Sequence, residues 1–522
     1  MNRSPATVAA APDGVERRGR AGPSLPATVV AIALSAVCSV LLLWPQHGRA
    51  LNWDEVDYVS AARKGVVTNL WERGSLSVPA YVRFAYDKVR HREPHLPAGY
   101  QEAQDPFRLR HGHSPAVVVA MTPFAHAHSE RALRFVQLLG AVALTVALVV
   151  AYRVVSPSWT WPGLAVILVV APWYGWHMFR TVQFHGWATV WLCLAVASLC
   201  RWLTGGRSRN WGLALCATLA ALILTLESSA FVLLGVVVCL VIWVRGLGRR
   251  ARVPWIRQYL VPGLLTVLAM SVLVWPGLVV KGGLFKLPAE RFYQVFLGES
   301  DVYYFNSSAD VLSYLLPALA GLATVVYFWR NRRDEVLRWG PLVAVAVVYV
   351  ASVLRLAVSE TYFLPALAPL LVLAAWMVGE LRPTMRMAVV AVLAVAMLGG
   401  AISLEGANAR GRRSDRQLRA DMAFVGDLLG RSPGLLDGGA IFRHYLPASQ
   451  IQDLSYDATG LLIRRDGKYE PVPPAAYQGT VVGILSTRTV FLQGPGATEL
   501  TSHCRRVDRP TLVLWDCRRL GT

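Results

Sequence analysis

Long apolar runs separated by short basic segments constrain this chain more than any other feature. One run extends from Ala27 to Trp44 and follows a polar segment. Ten further runs lie near 132–152, 161–178, 184–203, 211–226, 229–244, 259–280, 311–329, 339–356, 361–379 and 387–404. A helix needs about 20 mostly apolar residues to cross the hydrocarbon core of a bilayer. The sequence therefore predicts an α-helical polytopic membrane protein with about 11 transmembrane helices.

The composition excludes several other classes of protein. Hydrophobic residues make up 54% of the chain and charged residues 16%, and the mean hydropathy is +0.41. Soluble domains carry about 25% charged residues. The net charge of +20 would suit a nucleic-acid partner, but the basic residues lie between the apolar runs. We therefore predict membrane lipids, and no nucleic acid, as partners.

The distribution of basic residues predicts the orientation. With the N-terminus in the cytoplasm, the arginine-rich segments 245–257 and 330–338 fall inside, whereas the outer turns carry few basic residues. Residues 1–26 are then a cytoplasmic tail, for which we expect no fixed structure. A large loop at 46–131 and the C-terminal segment 405–522 lie outside the membrane.

The C-terminal segment 405–522 is less apolar and predicts a small extracytoplasmic α/β domain. A helix is expected from Arg416 to Leu429, and short strands within 438–448, 479–494 and 509–517, where apolar stretches are bounded by Gly and Pro. Cys504 and Cys517 both fall in this domain, and a disulfide bond between them would persist outside the cytoplasm.

Three carboxylates lie close together just after the first apolar run. In Asn52-Trp53-Asp54-Glu55-Val56-Asp57-Tyr58, like charges repel and raise one another's pKa. If the segment is helical, Asp54 and Asp57 share a face and Glu55 points elsewhere. A carboxylate at this position could act as a general base towards a hydroxyl group. Acidic residues are also favoured at helix N-termini, so the residues leave both interpretations open.

Four segments together resemble one family. Trp53-Asp54-Glu55 with Tyr58, directly after the first span, resembles the opening signature of the GT-C class of membrane glycosyltransferases. The branches concerned are the bacterial relatives of protein O-mannosyltransferases and lipid A aminoarabinose transferases. The other three segments follow in the family's order: His113-Ser114-Pro115 before a short outer helix, Ser129-Glu130 with Arg134 at the start of the second span, and Tyr362 with Pro365 and Pro369 in a late span.

The resemblance covers about 27–404 and implies a GT-C-like transmembrane domain there. It implies an enzyme of the bacterial plasma membrane that moves a sugar, hexosyl or pentosyl, from a polyprenyl-phosphate donor to a glycan, lipid or protein acceptor. Asp54 would be the general base, and Glu55 would hold that carboxylate or contact the acceptor or a metal ion. No cofactor is assigned, and a divalent metal ion is left open.

Basic groups near the outer surface are candidates for contact with the donor phosphate. Arg180, Arg355 and His113 are placed there, although arginines at span ends also serve as interfacial anchors. Glu227 suits either the site or a helix cap, and His185 either a polar contact or a buried histidine. The candidates for acceptor contact or support are Asp57, Tyr58, His111, His185, Glu227 and Tyr362.

Two classes of protein compete with an enzyme. A lipid or polysaccharide transporter or flippase would carry charges within its spans and paired repeats, but the ionisable residues here gather at the outer ends. A non-catalytic cell-envelope assembly protein would use the C-terminal domain as a binding module. Replacement of Asp54 distinguishes the assembly protein from a transferase, because an assembly protein would be unaffected by it.

Overall fold

The structure is a computed structural model. It describes residues 23–51, 53–71, 83, 114–127, 129–182, 184–205, 208–226, 230–246, 249–280, 308–353, 363–430, 432, 434–437, 439–447, 451–457, 460–465, 468–471, 478–486, 500 and 502–518.

Helices dominate the described residues. In chain order they are α1 (Leu25–His47), α2 (Trp53–Arg63), α3 (Gly65–Trp71), α4 (Ala116–Met121), α5 (Glu130–Leu133), α6 (Phe135–Val155), α7 (Trp161–Phe179), α8 (Phe184–Thr204), α9 (Arg209–Thr225), α10 (Ala230–Gly246), α11 (Arg249–Trp255), α12 (Val261–Val274), α13 (Gly277–Val280), α14 (Ser308–Asn331), α15 (Val336–Val353), α16 (Leu367–Glu380), α17 (Pro383–Leu429) and α18 (Gly439–Tyr445). A π-helical turn, Ile256–Leu260, joins α11 to α12.

The prediction of a polytopic membrane protein is confirmed. Within the described residues, seven helices are long and apolar enough to cross a membrane, and three shorter apolar helices correspond to α9, α10 and α16. Each of the eleven predicted spans overlaps a helix. The exact number of spans stays a prediction.

Close helix packing builds the main core. A Cβ atom at Gly140 would lie 2.2 Å from the ring of Phe179, and one at Gly163 would lie 2.1 Å from the hydroxyl oxygen of Tyr152. Small residues at such crossings let apolar helices approach each other closely. Helices α6 and α7 therefore pack closely, and α8 and α16 also contact them. Trp376 of α16 is fully buried in this bundle.

A second core lies at the loop end of the bundle, by which we mean the end where α1 ends and α2 begins. Val59 of α2, Val118 of α4, Phe184 of α8 and Phe442 of α18 belong to one buried cluster. Ser114 donates a hydrogen bond to the carbonyl oxygen of Ile223 at 2.7 Å and so holds the entry to α4 on α9. The short helix expected after Pro115 is thus present.

Helix α17 carries the chain from the membrane to the C-terminal domain. From the sequence we expect a span that ends at 404 and a separate helix that begins at Arg416, but one helix of 47 residues covers both. At about 1.5 Å per residue it is roughly 70 Å long, more than twice the thickness of a hydrocarbon core. The glycine at 411 is explained by packing, since a Cβ there would lie 2.3 Å from Cζ of Arg49.

The C-terminal domain contains a seven-stranded mixed sheet. The strands are β1 (Gly434–Asp437), β2 (Ile451–Asp457), β3 (Gly460–Arg465), β4 (Lys468–Pro471), β5 (Val481–Leu485), β6 (Arg505–Asp508) and β7 (Leu512–Asp516), in the order β4-β3-β2-β1-β5-β7-β6. The central strand β1 pairs in parallel with β2 and β5, and the outer pairs are antiparallel. The predicted small α/β domain is confirmed.

One predicted strand is wrong, and two are present. Residues 438–448 contain helix α18, because Phe442 and Leu446 are buried four residues apart, as the face of a helix requires. Strands β5 and β7 lie within the two other predicted segments. Cys504 and Cys517 form a disulfide bond beside the paired strands β6 and β7.

Asp421 of α17 fixes the sheet to the long helix. Its carboxylate is 1% exposed and accepts hydrogen bonds from Arg509 Nε at 3.0 Å, the Thr511 amide at 2.9 Å and the Thr511 hydroxyl at 2.7 Å. The guanidinium group of Arg509 also lies over the ring of Phe424 at 4.6 Å. The turn between β6 and β7 is therefore anchored at one carboxylate.

We expect Asp421→Ala to destabilise the docked C-terminal domain by about 1–3 kcal/mol, because three donors lose their acceptor. The matched control is Asp508→Ala, which removes a carboxylate that is 64% exposed and paired with Arg506; exposed pairs contribute about 0–1 kcal/mol. Thermal unfolding of the purified protein measures both. Equal effects of the two substitutions would contradict the anchoring role of Asp421.

Candidate active site

A buried ion pair joins the first loop to the second span. Glu55 lies in the first turn of α2, and its carboxylate accepts hydrogen bonds from Arg134 Nε at 3.0 Å and from Arg134 Nη2 at 2.7 Å. The side chains of Arg134 and Glu55 are 3% and 1% exposed. Paired hydrogen bonds of this kind fix the relative orientation of the two groups as well as their distance.

The same arginine also binds the end of α1. Arg134 Nη1 donates to the carbonyl oxygens of Gln46 at 2.7 Å and Arg49 at 2.6 Å, and Nη2 donates to that of Ala50 at 3.1 Å. The last carbonyl groups of a helix have no partner within the helix, and a cation is favoured there. Arg134 therefore holds three segments together: the end of α1, the start of α2 and the start of α6.

The turn between α7 and α8 reaches the same carboxylate. The backbone amide of Val182 donates to Glu55 Oε1 at 2.8 Å. One turn further along α2, the ring of Tyr58 meets that of Phe184 edge-on, with centroids 4.6 Å apart. Arg180 belongs to this turn, is half-buried, and places its guanidinium group 5.2 Å from the centre of the Trp176 ring.

The C-terminal domain contacts α2 directly at both of its ends. The amide of Leu51, just before α2, donates to the hydroxyl oxygen of Tyr445 at 3.1 Å, and burial raises the pKa of Tyr445 to about 12. At the other end, Arg63 Nε donates to the carbonyl oxygen of Ala125 at 3.0 Å, and Arg63 Nη2 lies 3.4 Å from His444 Nδ1. Burial lowers the pKa of Arg63.

The structure brings several of the predicted site residues to this region. Glu55, Tyr58 and Arg180 lie around the contact between α2 and the turn after α7, and His185 is buried in the first turn of α8. Asp54 and Asp57 lie in α2, but their side chains are outside the described part of the structure. The predicted residues that fall outside the described residues altogether are His111, His113, Glu227, Arg355 and Tyr362.

A metal site is not identified. Among the described residues, no group of three or more His, Cys, Asp and Glu side chains could hold a metal ion. The side chains of Asp54 and Asp57 lie outside this described set. The involvement of a divalent metal ion stays an open expectation.

Arg134 belongs to one of the family-like motifs, but the sequence predicts no role for it. A signal was present: Glu55 and Arg134 have opposite charges, and both lie next to apolar spans, where an unpaired charge is expensive. The need to pair two such charges would have suggested the contact, although 79 residues separate them in sequence.

Comparisons with known proteins agree with this architecture. The chain matches no family model and no curated protein. Among solved structures it is similar to ArnT from Cupriavidus metallidurans in the apo state, with 13% identity and a TM-score of 0.60 over 93% of this chain and 97% of that chain. ArnT from the same organism bound to undecaprenyl phosphate gives 14% identity and a TM-score of 0.58 over 94% and 98% of the two chains.

The similarity to ArnT extends over almost the full length of both chains. This chain therefore has the fold of the GT-C class of membrane glycosyltransferases, which confirms at the level of the fold the resemblance carried by its motifs. An archaeal oligosaccharyltransferase from Archaeoglobus fulgidus, in complex with zinc and sulfate, gives a TM-score of only 0.42 at 13% identity, over 81% of this chain and 62% of that chain.

We expect Arg134→Gln to lower the free energy of unfolding by about 3–5 kcal/mol, because it leaves the buried Glu55 carboxylate without its counter-ion. The matched control is Arg131→Gln, one turn earlier on an exposed position, with an expected change within about 0.5 kcal/mol. Denaturant titration of the detergent-solubilised protein measures both variants. A near-neutral Arg134→Gln would show that the pair does not hold these segments together.

Proposed function

We propose that this protein is a glycosyltransferase that moves a sugar from a polyprenyl-phosphate donor to an acceptor at the outer face of the bacterial plasma membrane. Three findings support the proposal: the fold shared with ArnT, the undecaprenyl phosphate bound in one ArnT structure, and the four motifs in the family's order. The N-terminus is cytoplasmic and the C-terminal domain extracytoplasmic in this proposal. The acceptor is a glycan, a lipid or a protein.

The observation that carries the proposal is the pair between Glu55 and Arg134. It joins the first-loop motif to the second-span motif, so the two strongest points of resemblance in the sequence meet in space. The helix that bears Asp54 is thereby fixed to the ends of the spans. A general base must be held in a defined position relative to the hydroxyl group that it deprotonates.

In the proposed reaction, Asp54 accepts the proton of an acceptor hydroxyl group. The hydroxyl oxygen forms a bond to the anomeric carbon of the sugar as the bond from that carbon to the phosphate oxygen breaks. The polyprenyl phosphate leaves with the bonding electron pair, and inversion at the anomeric carbon follows from direct displacement. Negative charge that develops on the phosphate requires nearby cations or hydrogen-bond donors.

Glu55 is a positioning residue in this proposal. Its oxygens already accept hydrogen bonds from Arg134 and the Val182 amide, in a buried environment. Such a carboxylate orients α2 without entering the reaction. Of the roles expected for Glu55 from the sequence, which are to hold the Asp54 carboxylate or to contact the acceptor or a metal ion, we assign it the first, exerted through the backbone of α2.

Of the candidates for contact with the donor phosphate, Arg180 is the one that lies within the described residues. It lies two residues before Val182 in the turn that contacts Glu55, so it is close to the start of α2. Arginine binds phosphate oxygens with paired hydrogen bonds and is therefore suited to this role. Arg355 and His113 remain candidates from the sequence for the same phosphate.

We expect Asp54→Asn to reduce sugar transfer by about 10²–10⁴-fold, the range typical for loss of a general base. Purified full-length protein is assayed with a panel of polyprenyl-phosphate sugars, and donor binding is measured separately. Asp508→Asn is the control, since it removes the same charge from a side chain that is 64% exposed and lies in the C-terminal domain. Its turnover should stay within about tenfold of the wild type.

Three results would count against the proposal. Turnover that survives Asp54→Asn would move the base to another carboxylate, with Asp57 next. Wild-type protein that binds polyprenyl phosphate and translocates it between leaflets without sugar transfer would be a flippase. Protein that binds no polyprenyl phosphate, and is unaffected by Asp54→Asn, would be an assembly protein.

A further inference from the structure

An open, arginine-rich groove lies at the loop end of the bundle. It is lined by Gly48, at the end of α1, and by Arg412, Asp415, Arg416 and Arg419 of α17. None of the lining residues belongs to α2 or to the turn after α7. The groove is therefore separate from the residues assigned above to sugar transfer.

Three arginines of the groove share one face of α17. Arg412, Arg416 and Arg419 are spaced by four and three residues, and that spacing places side chains above one another on a helix. All three are exposed. A row of guanidinium groups along one helix face is suited to a ligand that carries negative charge.

The carboxylates nearby do not balance the charge of the groove. Asp415 pairs with Arg49 at 3.3 Å, Glu130 with Arg419 at 2.7 Å and Glu405 with Arg412 at 2.7 Å. Among the residues that the structure describes, Arg416 and Arg131 have no carboxylate within 4.0 Å. Two positive charges are thus left over beside the groove.

The groove opens at the depth of lipid headgroups. Trp44, which is 54% exposed and one turn before Gly48, lies 5.9 Å below the guanidinium carbon of Arg131. Exposed tryptophans mark the interface between hydrocarbon and water. Gly48 lies about 6 Å further along the chain direction of α1 than Trp44, at about 1.5 Å per residue. The α1 side of the groove is therefore level with lipid phosphates.

One further feature fits a ligand at this place. A Cβ atom at Gly48 would lie 3.5 Å from Arg131 Nε, so a larger side chain at position 48 would fill the groove.

We propose that this groove binds the phosphate group of an anionic membrane phospholipid, held by Arg416 with support from Arg131, Arg412 and Arg419. The guanidinium groups donate paired hydrogen bonds to the phosphate oxygens, and the acyl chains lie along the exposed apolar faces of α1 and α17. The bound lipid bridges the ends of α1 and α17. This site is independent of the proposed sugar transfer and of its donor.

Native mass spectrometry of the full-length protein in detergent tests the proposal. The protein is titrated with dioleoyl phosphatidylglycerol and, separately, with dioleoyl phosphatidylcholine. We expect one saturable phosphatidylglycerol site and at least about tenfold weaker binding in Arg416→Gln, the loss typical of one charge-assisted hydrogen bond. Gly48→Leu should weaken binding similarly by filling the groove.

Arg410→Gln is the matched control, because Arg410 is exposed on the opposite face of the same helix. An equal loss of binding in this control would mean non-specific attraction and would overturn the proposal. Equal binding of phosphatidylcholine, or displacement of the lipid by equimolar inorganic phosphate, would also overturn it. Displacement by undecaprenyl phosphate would assign the groove to a polyprenyl phosphate instead. None of these outcomes depends on sugar transfer, so they leave the proposed function to its own test.

Discussion

The buried contact between Arg134 and Glu55 is the constraint on which the loop end of the bundle depends. Taking two charges out of water is costly, and the cost is recovered only when nearly every donor and acceptor of the pair is satisfied. Arg134 meets this requirement by donating to Glu55 and to three carbonyl oxygens at the end of α1, and Glu55 also accepts from the Val182 amide. The positions of α1, α2, α6 and the turn after α7 are therefore set by one group of hydrogen bonds.

The C-terminal domain is part of the same arrangement rather than an independent appendage. Tyr445 binds the backbone just before α2, His444 lies beside Arg63 at the end of α2, and Asp421 ties the sheet to α17. Apolar residues of α2, α18 and β5 share a single buried cluster. In the proposed transferase, an acceptor bound by this domain would therefore act on the helix that carries Asp54. In the proposed transferase, this coupling would give the domain a physical route to influence the reaction.

The spans were predictable because a helix that crosses a bilayer needs a long apolar segment, and such a segment is visible in the local sequence. The prediction of a strand at 438–448 was wrong for the opposite reason, because a short apolar stretch suits either a strand or a helix. The packing of Phe442 and Leu446 favours the helix. The length of α17 was missed because the drop in hydropathy after 404 ended the predicted span, whereas the helix continues to Leu429 and packs closely against Arg49 at Gly411. In the site, the motif correctly predicted the position of α2. The pairing of Glu55 with Arg134 was not predictable from local sequence, because 79 residues separate the two.

The central claim is that the Glu55–Arg134 pair holds α2, and with it Asp54, against the ends of the spans. Hydrogen–deuterium exchange of peptides that cover 53–63 tests it most directly, with wild type compared with Glu55→Gln in the same detergent. We predict at least about tenfold faster exchange in α2 of the variant, since a weakened tertiary anchor lowers the free energy of local opening, and unchanged exchange in α6 to α8. Unchanged exchange in α2 would contradict the account, because the helix would then be held by its apolar packing alone.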